Sequence, residues 1–258
     1  MDERDVIIEE ILNRMPPIGL NEMECIRLMN RLDTKYVTTK SRLIQLLGML
    51  TGKYYAQDIR THRICPYRTT YFDTQDHVQY MQHHNRNARR TKVRVRTYLV
   101  DGDVTFLEIK NKNNHARTKK KRMEVQSIET AQTTAGACEL VMKKTGLDFL
   151  TMHPVVQNHF DRVTLVNLAK TERLTIDFNI TFHNYETDLN AETDQLVIIE
   201  LKRDGNIYSP VLSLLRDLHI HPTGFSKCCL GMCWTDPGLK KNNFKAKMRK
   251  LAKINKQN

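Results

Sequence analysis

Long apolar runs are absent from this sequence of 258 residues. No stretch approaches the roughly 18 consecutive apolar residues of a transmembrane helix. The first residues, MDERDVIIEEILNRM, carry charges of both signs where a signal peptide has its apolar region. The six cysteines contain no C-x-x-C pair and no spacing typical of a disulfide framework. From these absences we expect a reduced, cytoplasmic protein without a transmembrane segment.

Motifs for several kinds of chemistry are also missing. We find no helix-turn-helix or zinc-finger pattern, and aromatic residues do not alternate with basic ones as base-stacking platforms require. We therefore expect no nucleic-acid partner. No serine–histidine or cysteine–histidine constellation predicts a protein nucleophile. Cys228, Cys229 and Cys233 are interpreted as small apolar residues of a buried helix, since buried free cysteine is common.

Acidic residues are fewer than basic residues in this sequence. Lysine and arginine number 41 against 29 for aspartate and glutamate, which gives a net charge of +12 and a pI near 9.4. This surplus indicates a polyanionic partner, although charge alone does not distinguish nucleic acid, polyphosphate, a nucleotide and an anionic membrane surface. The apolar fraction of 40% indicates a globular chain.

The stretch from Thr91 to Val125 has the most regular pattern in the sequence. Its alternation of period two predicts three short antiparallel strands with an apolar face and a basic face. The basic face carries Lys92, Arg94, Arg96, Lys110, Lys112, Lys120 and Arg122. Like charges directly opposite each other on neighbouring strands destabilise a sheet, so we expect a bound anion to offset their repulsion.

The rest of the chain predicts further strands and amphipathic helices. Period-two segments predict strands at residues 31–37, 54–60, 67–73, 155–166, 171–182 and 195–202. Helical patterns predict helices at residues 6–14, 22–29, 41–50, 134–144, 209–218 and 226–234, and residues 76–84 are interpreted as a polar helix. We interpret residues 1–238 as one domain. Residues 239–258 form a basic tail, interpreted as a lysine-rich terminal helix or as a contact for a membrane surface or membrane protein.

About eight strands pair an apolar face with a charged face, and two architectures satisfy this pattern. A sandwich turns the charged faces outwards, whereas a closed barrel lines its interior with them and covers its apolar outside with helices. We favour an α+β fold in which a closed antiparallel barrel of about eight strands is flanked by α-helices. The cations predicted to line it are Lys35, Arg94, Arg96, Lys110, Lys112, Lys120, Arg122, Arg162, Arg173, Lys202 and Lys227. The carboxylates are Asp33, Glu108, Glu124, Asp177 and Glu200.

Enclosed cations keep their charge only beside a compensating polyanion and water. A chain of phosphates meets this requirement, because arginine binds phosphate bidentately and lysine supplies a point charge. The few carboxylates would then hold a divalent metal between phosphate oxygens.

A series of short motifs runs through these predicted strands and helices. They are R-L-D-T-K-Y (31–36), Y-F-D-T (71–74), H-H-N (83–85), K-V-R-V-R-T-Y (92–98), F-L-E-I-K (106–110), K-K-R (120–122), F-D-R (160–162), R-L-T-I-D-F-N-I (173–180), I-I-E-L-K (198–202) and F-S-K (225–227). In order and spacing they resemble the VTC domain, the polyphosphate polymerase domain of the triphosphate tunnel metalloenzyme or CYTH-like superfamily. The resemblance extends from about Leu28 to Trp234.

The resemblance implies an eight-stranded tunnel whose basic residues bind ATP and a growing polyphosphate chain. Together with the charge pattern, it predicts catalytic roles for Lys35, Arg94, Arg96, Lys110, Lys120, Arg122, Arg162, Arg173, Lys202 and Lys227. It predicts substrate contacts for Lys35, Arg94, Arg96, Lys110, Lys112, Arg162, Arg173, Ser226 and Lys227. The implied metal ligand is Glu200, which would bind Mn²⁺ or Mg²⁺.

The chain also departs from the family pattern. Hydrolase and cyclase members of the superfamily carry E-x-E-x-K on the first strand, whereas this chain has Arg31, Asp33 and Lys35, which favours the polymerase branch. Phe160 stands where some relatives have a tyrosine near the phosphate. Eukaryotic relatives add a regulatory inositol-phosphate domain and a membrane channel, so we expect any coupling to export to be absent or supplied by another protein.

We therefore expect a metal-dependent polyphosphate polymerase that transfers the γ-phosphoryl group of ATP to a polyphosphate chain. Two alternatives remain open at this point. One is a metal-dependent tri- or polyphosphatase, in which water replaces the phosphate acceptor. The other is a non-catalytic module that binds polyphosphate or nucleotide.

Overall fold

The architecture is that of a computed structural model, which describes residues 2–24, 26, 31–100, 102–112, 118–205 and 207–256. Of Glu24, Arg31 and Thr118 only the backbone is described. These residues form one sheet of eleven strands with helices packed on both of its faces. The predicted continuation of the second helix to Met29 lies outside the described residues.

The strands are β1 (Pro17–Ile18), β2 (Arg31–Thr39), β3 (Tyr54–Gln57), β4 (Cys65–Asp73), β5 (Arg90–Tyr98), β6 (Val104–Lys112), β7 (Thr118–Val125), β8 (His153–Asn167), β9 (Glu172–Asn184), β10 (Asn190–Thr193) and β11 (Leu196–Asp204). The helices are α1 (Glu3–Asn13), α2 (Leu20–Glu24), α3 (Lys40–Leu50), α4 (Val78–His84), α5 (Ala137–Thr145), α6 (Pro210–Asp217), α7 (Lys227–Thr235) and α8 (Lys245–Asn255). Short 3-10 helices lie at Phe149–Thr151 and Asn242–Phe244. No helix of the described residues is long and apolar enough to cross a membrane.

Eight strands follow the order β2-β11-β9-β8-β4-β5-β6-β7, and each neighbouring pair is antiparallel. The predicted α+β class and antiparallel sheet are confirmed. The predicted closure is wrong, because no pairing joins the edge strands β2 and β7 within the described residues. The sheet also exceeds the predicted eight strands, since β1, β3 and β10 extend it. One physical reason for the open edge is the K-K-K-R run of β7, because charged edge strands resist pairing.

The sheet nevertheless curls strongly. Lys110 lies on β6, whereas Lys35 and Lys202 lie on β2 and β11, near the opposite end of the strand order. Burial and Arg94 have the largest effects on the pKa of Lys110, and the positive charges of Lys35 and Lys202 lower it further. Contacts at the start of α7 agree with this coupling, because Lys92 of β5 donates to Ser226 and Asp177 of β9 contacts Lys227, so the sheet curls towards its charged face. We call the space enclosed by this concave face the bore.

The convex face of the sheet is covered by helices. Helices α1, α3 and α6 pack against β2, β8, β9 and β11, while α5 packs beside β5 and β6. Leu43, Leu46, Leu47 and Leu50 of α3 are all fully buried there. Burying one such side chain contributes about 1.5–3 kcal/mol, so the outer helices hold the curled sheet in place.

One end of the concave face is apolar and is filled by α7 and α8. Phe182, Ile198 and Leu251 belong to this second core, which also contains the buried Cys228, Cys229 and Cys233, as predicted for a buried helix. The prediction that residues 239–258 are a separate tail remains a prediction. Because α7 occupies this end, only the remaining part of the bore is lined by charged side chains.

A reversal in β9 produces this apolar end. The sequence predicts that Asn179 shares the face of Asp177 and that Ile180 lies opposite. In the structure Asn179 has a φ of +54° and donates to Asp5 and Asp161, whereas Ile180 packs in the core beneath α7. The register with β8 shifts here, because His159 pairs with Thr181 whereas Asp161 pairs with Phe178, so β9 carries one extra residue. Such a bulge shifts the alternation of the strand by one.

Candidate functional site

Three carboxylates in the bore each contact two cations. The first is Glu200 on β11, which lies 2.6 Å from Lys35 Nζ and 3.3 Å from Lys202 Nζ. The register places Lys35 directly opposite Glu200 on the neighbouring β2. Burial disfavours the charged carboxylate, but Lys202, Lys35 and Lys110 outweigh it and hold the pKa of Glu200 well below its usual range. Glu200 is therefore ionised at neutral pH.

The second carboxylate, Glu108 on β6, lies between Arg94 and Lys120. Arg94 Nε donates to its Oε2 at 2.8 Å, and Lys120 contacts its Oε1. The side chain of Glu108 is only 1% exposed. Burial opposes its ionisation, and the charges of Arg94, Arg96 and Lys120 together keep its pKa well below the usual range. Glu108 therefore orients Arg94 on β5 and Lys120 on β7, the two strands that flank β6.

The third carboxylate, Asp177 on β9, joins the sheet to α7. Arg162 of β8 donates to both of its oxygens at 2.6 and 2.8 Å, and Lys227 contacts Oδ2. Lys227 is the first residue of α7, whose start is capped by Ser226 through the backbone N–H of Cys229. The predicted F-S-K motif therefore fixes a lysine at the point where α7 meets the charged part of the bore.

An aromatic surface lies beneath three of these cations. Arg96 and Arg162 lie over the ring of Tyr67 at 5.6 and 5.1 Å, and over the ring of Phe160 at 5.7 and 5.2 Å. Lys227 Nζ lies 4.0 Å from the Phe160 centroid. Cations within about 6 Å of a ring face are attracted by it. Phe160 therefore supports the cations, and this role does not need the hydroxyl of a tyrosine.

Positive charge in the bore exceeds what these carboxylates neutralise. Within the described residues, Lys110 forms no salt bridge, and its pKa falls to about 8 through burial and the charge of Arg94. Burial likewise lowers the pKa of Lys120 to about 8, although Glu108 opposes the shift. Like charges face each other directly, because Lys110 pairs with Lys92 on one side and with Lys120 on the other. An anion entering the bore would relieve this repulsion.

The structure brings most of the predicted site residues together. Those with contacts or charge coupling in the bore are Lys35, Arg94, Arg96, Lys110, Lys120, Arg162, Lys202 and Lys227. Two other predicted residues have different surroundings: Arg122 is exposed and stacks on Phe106 at 4.7 Å, and Lys112 ends β6. Arg173 pairs in register with Lys202 across β9 and β11, and it donates to the backbone oxygen of Met23 at 3.1 Å. The functional roles of all these residues remain predictions.

Sequence reasoning missed two polar contributors. Lys92 Nζ donates to Ser226 Oγ at 2.8 Å, which ties the start of β5 to the start of α7. The hydroxyl of Tyr71 lies 3.5 Å from a terminal nitrogen of Arg94. The alternation of residues places Lys92 on the same face of β5 as Arg94, and this pattern could have identified it from the sequence. Tyr71 pairs directly with Arg94 across β4 and β5.

Two places in the described residues offer metal ligands. Glu200 provides a buried carboxylate, and one carboxylate completed by phosphate oxygens and water is an ordinary Mg²⁺ site, so Glu200 fits the predicted Mn²⁺ or Mg²⁺. Because both of its oxygens contact lysines, such a site would form only together with a phosphate ligand. Elsewhere, ligand atoms of His77, His153 and Glu186 lie within 4.8 Å of one another.

The geometry thus defines a curled antiparallel sheet with a cationic bore, and comparison with known proteins places it in a family. The sequence profile of the VTC domain matches residues 30–235, so the chain belongs to the VTC domain family. This confirms the resemblance predicted from the sequence motifs. A search of curated proteins gave no match.

Solved structures share the fold at low sequence identity. A candidate adenylate cyclase from Bacillus halodurans has a TM-score of 0.52 and 12% identity, covering 77% of this chain and 96% of its own. HpAC1 from Hippeastrum, a candidate adenylyl cyclase with a dominant triphosphatase activity, has a TM-score of 0.52 and 13% identity, covering 81% of this chain and 99% of its own. Identities this low establish similarity of fold alone.

Proposed function

We propose that the protein is a polyphosphate polymerase that transfers the γ-phosphoryl group of ATP to the end of a polyphosphate chain. The observation that carries this proposal is the pairing of each bore carboxylate with two cations, which leaves every group of three with a net positive charge. Arg96 and Lys110 add further positive charge. A run of linked phosphates, with a negative charge at each unit, is complementary to such a series of groups.

The reaction would use positioning and charge neutralisation. A terminal oxygen of the polyphosphate chain attacks the γ-phosphorus of ATP, the bond from that phosphorus to the β-phosphate oxygen breaks, and ADP leaves. Charge spread over the equatorial oxygens is stabilised by fixed guanidinium and ammonium groups, which need no reorganisation during the step. Arg94 and Arg162 suit this task, because Glu108 and Asp177 hold their guanidinium groups in place. Mn²⁺ or Mg²⁺ at Glu200 would add charge neutralisation between phosphate oxygens.

Hydrolysis of a triphosphate is the second candidate. The bore remains open to water, since the side chain of Lys120 is 42% exposed, and HpAC1 combines a similar fold with triphosphatase activity. Strand β2 favours the polymerase, because its sequence has Arg31 and Asp33 in place of the two glutamates of the hydrolase signature. Less carboxylate at that strand weakens metal activation of water.

The test is incubation of the purified protein with ATP and Mn²⁺, followed by separate measurement of ADP, orthophosphate and acid-stable polyphosphate. We expect ADP and polyphosphate to accumulate together, and both to be lost in E200Q. The matched control is E192Q, which changes an exposed glutamate on β10 outside the bore. Orthophosphate without polymer would identify a triphosphatase, and tight binding of ATP without any product would identify a binding module.

A further inference from the structure

Two histidines and a glutamate converge at the end of the sheet where α4 begins. His77 Nε2 lies 2.9 and 2.8 Å from the two oxygens of Glu186, and His153 Nε2 lies 2.8 Å from Oε1. His77 directly precedes α4, His153 opens β8, and Glu186 lies in the turn after β9. His153 is nine residues before Arg162 on β8, a distance of about 30 Å along an extended strand. The cluster is therefore separate from the charged groups of the bore.

Buried hydrogen bonds fix the position of His77. Asp73, the last residue of β4, is 3% exposed and accepts from the backbone N–H groups of Thr74, Gln79 and Tyr80 at 2.9, 2.9 and 2.8 Å. These bonds hold the loop that carries His77 against the start of α4. Asp73 also pairs in register with His153 across β4 and β8. Asp73 of the Y-F-D-T motif thus places two histidines side by side.

Glu186 is held by a second buried group. Asn184, fully buried, accepts from the backbone N–H groups of Glu186 and Thr187 at 2.9 and 3.1 Å. It donates in turn to the hydroxyl of Thr235 at 3.1 Å, and Thr187 donates to the backbone oxygen of Thr235 at 2.7 Å. The turn is therefore anchored to the end of α7. All three side chains stand on rigid supports, as the ligands of a preorganised site do.

We propose that His77, His153 and Glu186 bind Zn²⁺, with a water or an anion completing a four-coordinate site. Two imidazoles and one carboxylate are a ligand set that suits zinc, whereas Mg²⁺ and Mn²⁺ prefer oxygen donors. Ligand atoms about 2.0–2.1 Å from a tetrahedral ion lie roughly 3.3 Å apart, so the contacts of His77 and His153 with Glu186 need to open by about 0.5 Å. The ligand atoms of all three residues lie within 4.8 Å of one another. Each neutral imidazole presents its Nε2 lone pair once its proton resides on Nδ1.

This zinc site is chemically distinct from the metal site proposed at Glu200. The bore offers one carboxylate among lysines, whereas this cluster offers nitrogen ligands and no neighbouring lysine contact among the described residues. The proposal does not depend on polymerase activity, so the two can be tested separately.

The experiment is a competition titration of the untagged full-length protein against a chromogenic zinc chelator, with a Co²⁺ absorption spectrum as a second readout. We expect one zinc per chain, and an affinity reduced at least ~10-fold in both H77A and E186Q. H183A is the matched control, because His183 faces a single carboxylate, Asp188, at 4.0 Å. E200Q controls for the bore. Both controls should bind zinc as the wild type does.

Three results would overturn the zinc proposal: no stoichiometric zinc in the wild type, unchanged affinity in H77A and E186Q, or equal loss in E200Q. Circular dichroism verifies that each variant is folded. If H77A does not fold, E186Q decides, because glutamine keeps the shape of the side chain. In that variant the visible Co²⁺ bands of the four-coordinate complex should also disappear.

Discussion

Replacing Asp177 with asparagine removes the one carboxylate shared by Arg162 and Lys227 while keeping its shape. The three side chains are 6%, 16% and 11% exposed, so the two cations would remain largely buried without a counter-charge. Removing one partner of a buried ion pair costs about 3–5 kcal/mol. Because asparagine retains part of the hydrogen bonding, we expect the free energy of unfolding to fall by ~3 kcal/mol, at the lower end of this range. At about 2–4 °C per kcal/mol, the thermal midpoint should fall by roughly 6–12 °C.

A polyanion should reverse much of this loss. In the wild type, bound tripolyphosphate would share Arg162 and Lys227 with Asp177, whereas in D177N it would supply the missing negative charge itself. We therefore expect tripolyphosphate to raise the midpoint more in D177N than in the wild type. Differential scanning fluorimetry with and without the ligand measures both quantities. The matched control is E22Q, which removes the solvent-exposed contact between Glu22 and Lys170 and should leave both quantities unchanged.

An equal or smaller tripolyphosphate effect in D177N would refute this reasoning, because it would mean that the ligand does not reach Arg162 and Lys227. An unchanged midpoint without ligand would refute the buried pair itself. Urea unfolding at equilibrium provides an independent measure of the free-energy difference.

Two further predictions concern pH and the placement of α7. Lys110 and Lys120 have pKa values of about 8, and a bound polyanion favours their charged forms. The affinity for tripolyphosphate should therefore fall as the pH rises above about 8. The expected decrease is up to about tenfold per pH unit for each lysine. Calorimetry in buffers of different ionisation enthalpy should detect proton uptake, and an affinity that stays constant from about pH 7 to pH 9.5 would contradict this. G231A should destabilise by about 1–3 kcal/mol, because an added Cβ would lie 2.5 Å from the ring of Phe182. The control is G48A, whose added Cβ would meet nothing within 4 Å, and it should raise the free energy of unfolding in urea by about 0.5–1 kcal/mol. Similar effects of G231A and G48A on this free energy would refute the close packing of α7.

Alternation of polar and apolar residues predicted which side chains share a face, because that property is local to each strand. It predicted Arg94, Arg96 and Lys110 on one face, and the sheet register confirms this. It failed after Asp177, where the bulge reverses the faces and Ile180 joins the inner core. A bulge depends on the pairing with β8, which the sequence of β9 alone does not reveal.

Such local patterns predict neither the closure of the sheet into a barrel nor the clustering of residues that are distant in the sequence. The alternation predicts a barrel and a curled open sheet equally well, because the difference lies only in the pairing of β2 with β7. Adjacent side chains on a helix do not point the same way, so His83 and His84 by themselves predict no metal site on α4. The cluster found there uses His77 together with His153 and Glu186, which lie 76 and 109 residues further along the chain. Only the three-dimensional fold brings these side chains together.

The central claim is that linked phosphates bind inside the bore, and the most direct test is a crystal structure of the protein with tripolyphosphate. We predict ordered phosphate density among Arg94, Arg96, Lys110 and Arg173, with guanidinium and ammonium groups contacting phosphate oxygens. Density confined to the convex surface of the sheet, or an unchanged bore at saturating ligand, would contradict the account.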